Sequence, residues 1–186
     1  MVKMIFDVCI SLFIILFLLP LVIFVFILIY MCDGFPVFYS QIRVGKHGVE
    51  FKMFKFRTMV KNADQIGSHQ TAESDQRITK VGSFLRKTSI DELPQLINVL
   101  KGDMSLVGPR PNVLNQKIEY TEKDWTKRNK VAPGITGLAQ VSGRSSLSFK
   151  ERLHYDTMYV DKVGLLMDAK ILSRTVLQVL LRKGSN

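Results

Sequence analysis

Residues 88–100 read TSIDELPQLINVL, and in this stretch two adjacent acids, Asp91 and Glu92, precede a helical repeat of apolar residues. The members of the repeat are Leu93, Leu96, Ile97 and Leu100. Their spacing is that of one face of an amphipathic helix. Ser89 and Glu92 match a capping box, but a helix capped by Ser89 would place Pro94 one step beyond its first turn, where proline removes a backbone hydrogen bond. We therefore expect the helix to begin at Asp91.

Basic side chains surround the two acids in the sequence. They are Arg77, Lys80, Arg86, Lys87, Lys101 and Arg110. Paired carboxylates among cations favour a metal ion and a phosphorylated substrate, because Mg²⁺ takes carboxylate and phosphate oxygens together. A carboxylate can also attack phosphorus and form an acyl phosphate. The alternative is structural, since acids stabilise the first turn of any helix, and the spacing alone does not decide between the two.

A rigid turn follows, with the sequence Gly108-Pro109-Arg110-Pro111. Both prolines fix φ, so the turn presents Arg110 in one place, where a guanidinium can grip phosphate with two hydrogen bonds. An exposed surface turn is the alternative. A second glycine-rich run, PGITGLAQVSGR at residues 133–144, lacks the spacing of a P-loop or a dinucleotide fingerprint. It could place backbone amides around a ligand, with Arg144 at its end.

The charge of the chain is strongly asymmetric. The formal net charge is +10, and residues 1–32 contribute nothing to it because they hold one Lys and one Asp. The basic remainder indicates a polyanionic partner, which is nucleic acid, an anionic membrane surface or a phosphorylated ligand. Both cysteines, Cys9 and Cys32, lie in the apolar N-terminal segment, so neither a disulfide framework nor a cysteine-based zinc site is expected. That usage fits a reducing, cytosolic face.

An uncharged apolar segment runs from Val8 to Cys32. About 20 apolar residues suffice to cross a bilayer as a helix, and the segment is too long for the core of a signal peptide. Pro20 removes one backbone donor near the middle, so we expect a kink there. Two geometries stay open from these residues: a kinked spanning helix, or a helix that bends at Pro20 and returns to the same face. The positive-inside rule puts the basic part of the chain in the cytoplasm in both.

The remaining patterns mix strands with helices and so predict an α+β fold. Val37–Val44 and Val49–Met59 predict a β-hairpin around a turn at residues 45–48. Aromatic and basic residues alternate in its second arm, which is more typical of a half-buried strand than of a nucleic-acid face. We further predict a loop at residues 62–76 and helices at residues 115–130, 148–160 and 169–183. The last helix is apolar and basic, which suits either core packing or an anionic membrane interface.

Several blocks of this sequence resemble the monotopic phosphoglycosyl transferases, also called bacterial sugar transferases. The most specific blocks are RITKVG at residues 77–82, RKTSIDELPQL at residues 86–96, KGDMSLVGPRP at residues 101–111, and PGITG with QVSGR at residues 133–137 and 140–144. The resemblance covers nearly the whole chain. Leu19 and Leu138 depart from the pattern, because small members often have Ser before the kink proline and Trp is common in the third block.

The resemblance implies a reaction that the spacing alone does not show. The family transfers a sugar-1-phosphate from a UDP-sugar to undecaprenyl or another polyprenyl phosphate, releases UMP, and so starts glycan assembly. The acid at the position of Asp91 attacks the β-phosphorus and forms a covalent phosphosugar intermediate in a ping-pong mechanism, and the acid at the position of Glu92 binds Mg²⁺. Cations near Asp91 would offset the repulsion between phosphates and an anionic nucleophile. The candidate substrate-binding residues are Arg57, Arg86, Pro109, Arg110, Pro111 and Arg144.

The resemblance also implies a re-entrant membrane helix broken at Pro20, in place of the spanning helix that the residues alone favour. Residues 1–32 would form this helix. Residues 33–186 would form a small, mostly helical catalytic domain with a β-hairpin and interfacial amphipathic helices, on the cytoplasmic face of the inner (plasma) membrane. The expected partners are the UDP-sugar, polyprenyl phosphate and membrane lipids, without nucleic acid; a homodimer is left open.

Two rival hypotheses remain at this point. In the first, transfer is direct and sequential, with Asp91 acting as a base or as a second metal ligand. In the second, the chain is a non-enzymatic, membrane-tethered module that binds polyanions. The first predicts that UMP appears only when the acceptor lipid is present, and the second predicts tolerance of Asp91→Asn.

Overall fold

The N-terminal segment forms one long helix, α1 (Val2–Asp33). It is seen in a computed structural model, which describes residues 2–63, 75–143 and 146–181. By length and composition α1 could cross a membrane, and many of its large apolar side chains are exposed. The helix continues through Pro20, where the carbonyl of Leu16 receives no bond from residue 20 because proline has no N–H. The kink and the re-entrant path stay predictions.

One face of α1 packs against later parts of the chain. Val25 and Ile29 are buried in a cluster with Phe56 and Leu85. Towards the start of the helix, Ile10 and its neighbours pack against a second cluster of buried residues. Because apolar side chains cover opposite sides of α1, one side is buried by protein and the other is left for a different apolar environment.

Polar contacts join both ends of α1 to residues of the later part of the chain, residues 33–186. Near its start, Lys3 pairs with the fully buried Asp168 at 2.6 Å between Nζ and Oδ2. At its end, the Asp33 carboxylate accepts a hydrogen bond from the Thr79 hydroxyl at 3.0 Å.

The predicted β-hairpin is confirmed, with slightly shorter arms. Strands β1 (Phe38–Val44) and β2 (Glu50–Phe56) are antiparallel, and a 3-10 turn at Lys46–Gly48 joins them. Side chains alternate along β2, so Phe51 and Met53 enter the core while Lys55 continues the same face. The inner face of β2 thus changes from apolar to cationic towards its end.

Two short helices lie between residues 80 and 101. Thr79 caps the start of helix α2 (Lys80–Thr88), because its hydroxyl accepts a hydrogen bond from the Gly82 amide. Gly82 permits a close approach, because a Cβ there would lie 2.0 Å from the Thr58 carbonyl oxygen. Helix α3 (Gln95–Lys101) ends in the left-handed Gly102. The predicted loop at residues 62–76 falls mostly outside the described residues.

The prediction that the helix begins at Asp91 is wrong by four residues. Ile90–Glu92 is a separate 3-10 turn, and α3 starts only after Pro94. Proline has no N–H to give to the Ile90 carbonyl, which instead accepts from the Leu93 amide at 3.1 Å. The acids therefore lie on a tight turn ahead of the helix, and Ser89 makes no side-chain cap.

The second half of the described chain is mostly helical. It comprises strand β3 (Ser105–Val107), a 3-10 helix (Leu114–Glu119), α4 (Glu122–Arg128), strand β4 (Gly134–Thr136), α5 (Leu138–Ser142), α6 (Phe149–Asp161) and α7 (Leu165–Leu180). Strands β3 and β4 form a parallel pair that the sequence did not predict. The helix predicted at residues 115–130 is divided into two, because Tyr120 is extended between them. Of the helices predicted at residues 148–160 and 169–183, the first is confirmed, and α7 starts four residues before the second.

The α+β prediction is confirmed by this mixture of strands and helices. A core of buried side chains from α3, β3, α5, α6 and α7 lies against the first half of α1. Leu165, Leu166, Val176 and Leu177 on α7 are exposed, as an interfacial helix requires. The described part of α7 ends at residue 180, and residues 182–183 of the predicted helix lie outside the described range.

Candidate active site

The two predicted catalytic acids lie side by side on the 3-10 turn at Ile90–Glu92. Asp91 is buried, with 7% of its surface exposed. The Glu92 side chain is 18% exposed. Ser89 has a left-handed conformation (φ 57°) that ends α2 and turns the chain into this position. The turn therefore presents two carboxylates at a place where water has limited access.

Lys55 joins the two acids from the end of β2. Its Nζ lies 2.8 Å from Oε1 of Glu92 and 3.9 Å from Oδ2 of Asp91. The sequence predicts Lys55 only as part of an alternating strand. That alternation was the available signal, since it puts Lys55 on the inward face after Phe51 and Met53.

Arg110 also pairs with Glu92. Its Nη2 lies 2.5 Å from Oε1, and its Nη1 lies 3.5 Å from Oε2. The Arg110 side chain is 48% exposed, so part of the guanidinium can also meet a ligand. Oε1 takes the short contacts from both cations, and Oε2 keeps one long contact.

The turn that carries Arg110 is fixed from behind by two further arginines. Arg43 of β1 donates to the Pro111 carbonyl at 3.1 Å. Arg128 of α4 donates to the carbonyl of Arg110 itself and pairs with Asp156 at 2.8 Å. The rigid presentation of Arg110 expected from the prolines thus has a tertiary basis as well.

Three glycines let the turn and the third sequence block approach backbone to backbone. A Cβ at Gly134 would lie 2.1 Å from the amide nitrogen of Gly108, and one at Gly137 would lie 2.2 Å from the Gly108 carbonyl oxygen. Gly108 also donates its amide to the Thr136 carbonyl at 2.9 Å. The Gly134 amide also donates a hydrogen bond to the Pro109 carbonyl at 3.0 Å. The PGITG block therefore supports the turn that carries Arg110.

Arg86 of α2 is the third cation whose charge reaches Asp91. Its Nε donates to the Thr58 hydroxyl at 2.8 Å. Burial lowers the pKa of Arg86, and the charge of Asp91 opposes that shift. Lys55, Arg86 and Arg110 therefore all act on the charge of Asp91.

Arg57, another predicted substrate-binding arginine, is not part of this group. Nη2 of Arg57 donates to the carbonyls of Asp33 and Gly34, each at 2.7 Å, at the end of α1. Such a contact places a cation at the negative end of the helix dipole. Arg144 lies outside the described residues, so its predicted role stays a prediction.

The two acids are held in different electrostatic states. Burial raises the pKa of Asp91, and the adjacent Glu92 carboxylate adds to the rise, while the cations Lys55, Arg86 and Arg110 oppose it. For Glu92 burial also acts to raise the pKa, but Arg110 and Lys55 outweigh it and the pKa lies well below its usual range. A pair of carboxylates with pKa values pushed apart suits two different chemical roles.

No preformed metal cage is visible in the parts of the chain that the structure describes. There, no group of three or more His, Cys, Asp or Glu side chains converges. Mg²⁺ commonly needs only one or two carboxylates and takes substrate phosphates as its other ligands. Oε2 of Glu92, with its single 3.5 Å contact, is an oxygen that fits this type of binding.

Comparison with known proteins gives an independent result. The family model described as bacterial sugar transferase matches residues 1–182. The uncharacterized sugar transferase EpsL of Bacillus subtilis (strain 168) is 43% identical over 182 residues, which cover 98% of this chain and 89% of that protein.

Two longer relatives carry more specific names. The undecaprenyl-phosphate galactose phosphotransferase of Salmonella typhimurium is 41% identical over 198 residues, covering 98% of this chain and 41% of that protein. The UDP-glucose:undecaprenyl-phosphate glucose-1-phosphate transferase of Klebsiella pneumoniae is 40% identical over 159 residues, covering 81% of this chain and 34% of that protein. The chain therefore spans less than half the length of these two relatives.

Proposed function

The chain belongs to the bacterial sugar transferase family, and on that basis we propose that it transfers a sugar-1-phosphate from a UDP-sugar to a polyprenyl phosphate such as undecaprenyl phosphate. UMP is released, and the lipid-linked sugar starts the assembly of a glycan. The observation that carries the proposal is the buried Asp91 beside Glu92, with Lys55, Arg86 and Arg110 around them. The names of the Salmonella and Klebsiella relatives supply the class of donor and acceptor.

The proposed chemistry has two displacements at the same phosphorus atom. An Oδ of Asp91 attacks the β-phosphorus of the UDP-sugar and forms an O–P bond. The bond between that phosphorus and the bridging oxygen breaks, and UMP leaves with the electron pair. A phosphate oxygen of the acceptor lipid then attacks the phosphosugar, and the Asp91 carboxylate leaves unchanged. Splitting one displacement into two is the usual benefit of a covalent intermediate.

The cations give this chemistry its electrostatic support. Donor diphosphate, lipid phosphate and nucleophile are all anionic, so their approach is opposed unless fixed positive charges lie near. Arg110 is half exposed and prepositioned by its turn, which suits a contact with the donor phosphates. Lys55 lies between both acids and keeps Glu92 ionised. We assign Arg86, whose charge also acts on Asp91, to the second phosphate.

Mg²⁺ is part of the proposal. Glu92 would hold it through Oε2, together with phosphate oxygens of the donor. When bound, the ion would offset phosphate charge and polarise the phosphoryl group. The proposal predicts that a chelator abolishes adduct formation and that added Mg²⁺ restores it.

We further propose that α1 is re-entrant and that residues 33–186 form the catalytic domain on the cytoplasmic face of the inner membrane. The support is that Lys3 and Asp33, at opposite ends of α1, both contact residues of this later part. A straight spanning helix would put Lys3 on the far side of the bilayer from Asp168. A helix with both ends at one face keeps this pair together, and Pro20 lies where the helix would have to bend.

The decisive experiment is intact mass measurement of the purified protein in nanodiscs. The protein is incubated with Mg²⁺ and a panel of UDP-sugars, without polyprenyl phosphate. An added mass of one sugar-phosphate that is absent in Asp91→Asn supports the covalent route and names the sugar. Asp161→Asn is the matched control, because Asp161 forms an exposed ion pair with Lys127, and it should form the adduct normally.

The other outcomes separate the rival hypotheses. Transfer that occurs only after lipid is added, with no adduct under any condition, would reject the nucleophile and favour direct transfer. Absence of transfer with every donor, together with polyanion binding that persists in Asp91→Asn, would favour the non-enzymatic module.

A further inference from the structure

A continuous series of aromatic side chains runs from the exposed side of α1 to the β-hairpin. We call it the aromatic strip; its members are Tyr30, Phe35, Phe26, Phe38 and Phe56. Consecutive ring centroids are 4.8 Å apart for Tyr30 and Phe35, 6.5 Å for Phe35 and Phe26, 6.0 Å for Phe26 and Phe38, and 5.3 Å for Phe38 and Phe56. These separations are those of interacting aromatic pairs.

The strip is exposed at its outer end and buried at its inner end. Tyr30, Phe35 and Phe38 are 49%, 59% and 44% exposed, whereas Phe56 is 1% exposed. A set of rings that served only the core would be covered throughout. The exposed rings therefore form an apolar surface that is available to bind another molecule.

The inner end of the strip lies beside the candidate active site. The Phe56 side chain lies on the face of β2 opposite Lys55, and it is buried in the cluster against which Ile90 packs. Ile90 immediately precedes Asp91 in the 3-10 turn. Arg57, the next residue after Phe56, holds the last carbonyls of α1. The strip thus extends from α1 to the buried cluster that packs against the turn carrying the acids.

The chemistry of the strip points to hydrocarbon. Interfacial belts that anchor proteins at headgroups favour Trp and Tyr, which have a polar group on an apolar ring. Four of the five members here are phenylalanines, which offer only apolar surface and the π face of the ring. A chain with a carbon–carbon double bond in every five-carbon unit offers matching π surface along its length.

We propose that the aromatic strip binds the isoprene units next to the phosphate of the acceptor lipid and guides that phosphate to Asp91. The proposal rests on the proposed function for its choice of a polyprenyl occupant. The physical requirement behind it is positional. The phosphate must reach a buried carboxylate while the rest of the lipid stays in the bilayer, so the first isoprene units must lie against the protein between the two.

The test replaces rings by leucine in the full-length protein, which keeps the surface apolar and removes the π system. The test variant is Tyr30→Leu/Phe38→Leu. The matched control is Phe13→Leu/Phe17→Leu, since those rings form another stacked pair on α1, 6.2 Å apart and 68% and 74% exposed. Two quantities are measured in nanodiscs: retention of polyprenyl phosphate by native mass spectrometry, and the KM for polyprenyl phosphate against a saturated alkyl phosphate of equal length.

The expected result is specific to the strip and to the acceptor. The test variant should bind polyprenyl phosphate on the order of tenfold more weakly, as for the loss of two aromatic contacts, and should lose the preference for the unsaturated chain. Adduct formation from the UDP-sugar, measured without lipid, should be unchanged in both variants. The control should retain wild-type lipid binding.

Two outcomes would overturn the proposal. Equal weakening in the test and control variants would show that the rings only anchor α1 in the bilayer. Unchanged lipid binding in a folded test variant would show that the acceptor chain lies elsewhere. A wild-type protein that retains polyprenyl phosphate but forms no adduct would reject the covalent mechanism and leave the strip supported, so the two failures are distinguishable. If the double variant unfolds, Phe38→Leu alone is measured against Phe17→Leu.

Discussion

A buried ion pair between α4 and α6 should contribute more to the stability of this protein than its exposed neighbour does. Arg128 and Asp156 are each 2% exposed, and Nε and Oδ2 are 2.8 Å apart. A second guanidinium nitrogen of Arg128 donates to the carbonyl of Arg110. The next residue in the chain, Lys127, forms an ion pair with Asp161 at 2.7 Å between the same two helices, but these side chains are 34% and 57% exposed.

The perturbation is Arg128→Met, which keeps an unbranched apolar side chain and removes the charge. Asp156 is then left without its hydrogen-bonded cation in a buried site, where burial already raises its pKa. Breaking a buried ion pair by removing one partner costs about 3–5 kcal/mol. For a chain of this size 1 kcal/mol lowers the melting temperature by about 2–4 °C, so a fall of roughly 6–20 °C is expected.

The assay is thermal unfolding followed by circular dichroism, at fixed protein and detergent concentration. Lys127→Met is the control, and it should cost less than about 1 kcal/mol because exposed ion pairs contribute little. The double variant Arg128→Met/Asp156→Leu should regain much of the lost stability, since no buried charge is left unpaired. Equal effects of Arg128→Met and Lys127→Met would refute the reasoning from burial.

Three further predictions concern the acids, the glycines and the start of α1. Because burial raises the pKa of Asp91, the rate of adduct formation should fall as the pH is lowered through an apparent pKa above the ordinary 3.8. A rate that falls only at or below pH 3.8 would contradict a buried nucleophile. Gly134→Ala should lower the free energy of unfolding by about 1–3 kcal/mol, because the new Cβ meets backbone at 2.1 Å; Gly164→Ala, which meets nothing nearer than 4.0 Å, should cost little in the same unfolding assay. Lys3→Met should cost about 3 kcal/mol by removing the 2.6 Å partner of a fully buried carboxylate, whereas an unchanged melting temperature would show that α1 is not held there.

Much of the fold was predictable because its signals are local. The apolar run that forms α1, the hairpin and α6 each carry a pattern with the period of their own element. The helix after the acids was also predictable, but its first residue was not. The alternative of a 3-10 turn with a bond from Leu93 to Ile90 costs little and removes the conflict at Pro94, and sequence periodicity does not register such a choice.

The candidate site was predictable only in part. Asp91, Glu92 and Arg110 were singled out by residue type and by rigid neighbours, and the structure brings them together with Arg86 nearby. Lys55 was missed because it lies far from the acids in the sequence and reaches them only when β2 packs beside the turn. Arg57 carries the same charge as the cations of the site, yet it contacts the end of α1.

The sequence alone therefore determined what depends on residues close together in the chain: a long apolar helix, a hairpin, a pair of acids and a rigid turn that carries an arginine. Tertiary structure decided which charges meet, because cations from β2 and from the turn after β3 converge on one glutamate, and a buried arginine from α4 fixes that turn from behind. The physical reason is that apolar periodicity is set by repeated local contacts, whereas a charge acts through space on whatever the packed core brings within a few ångströms.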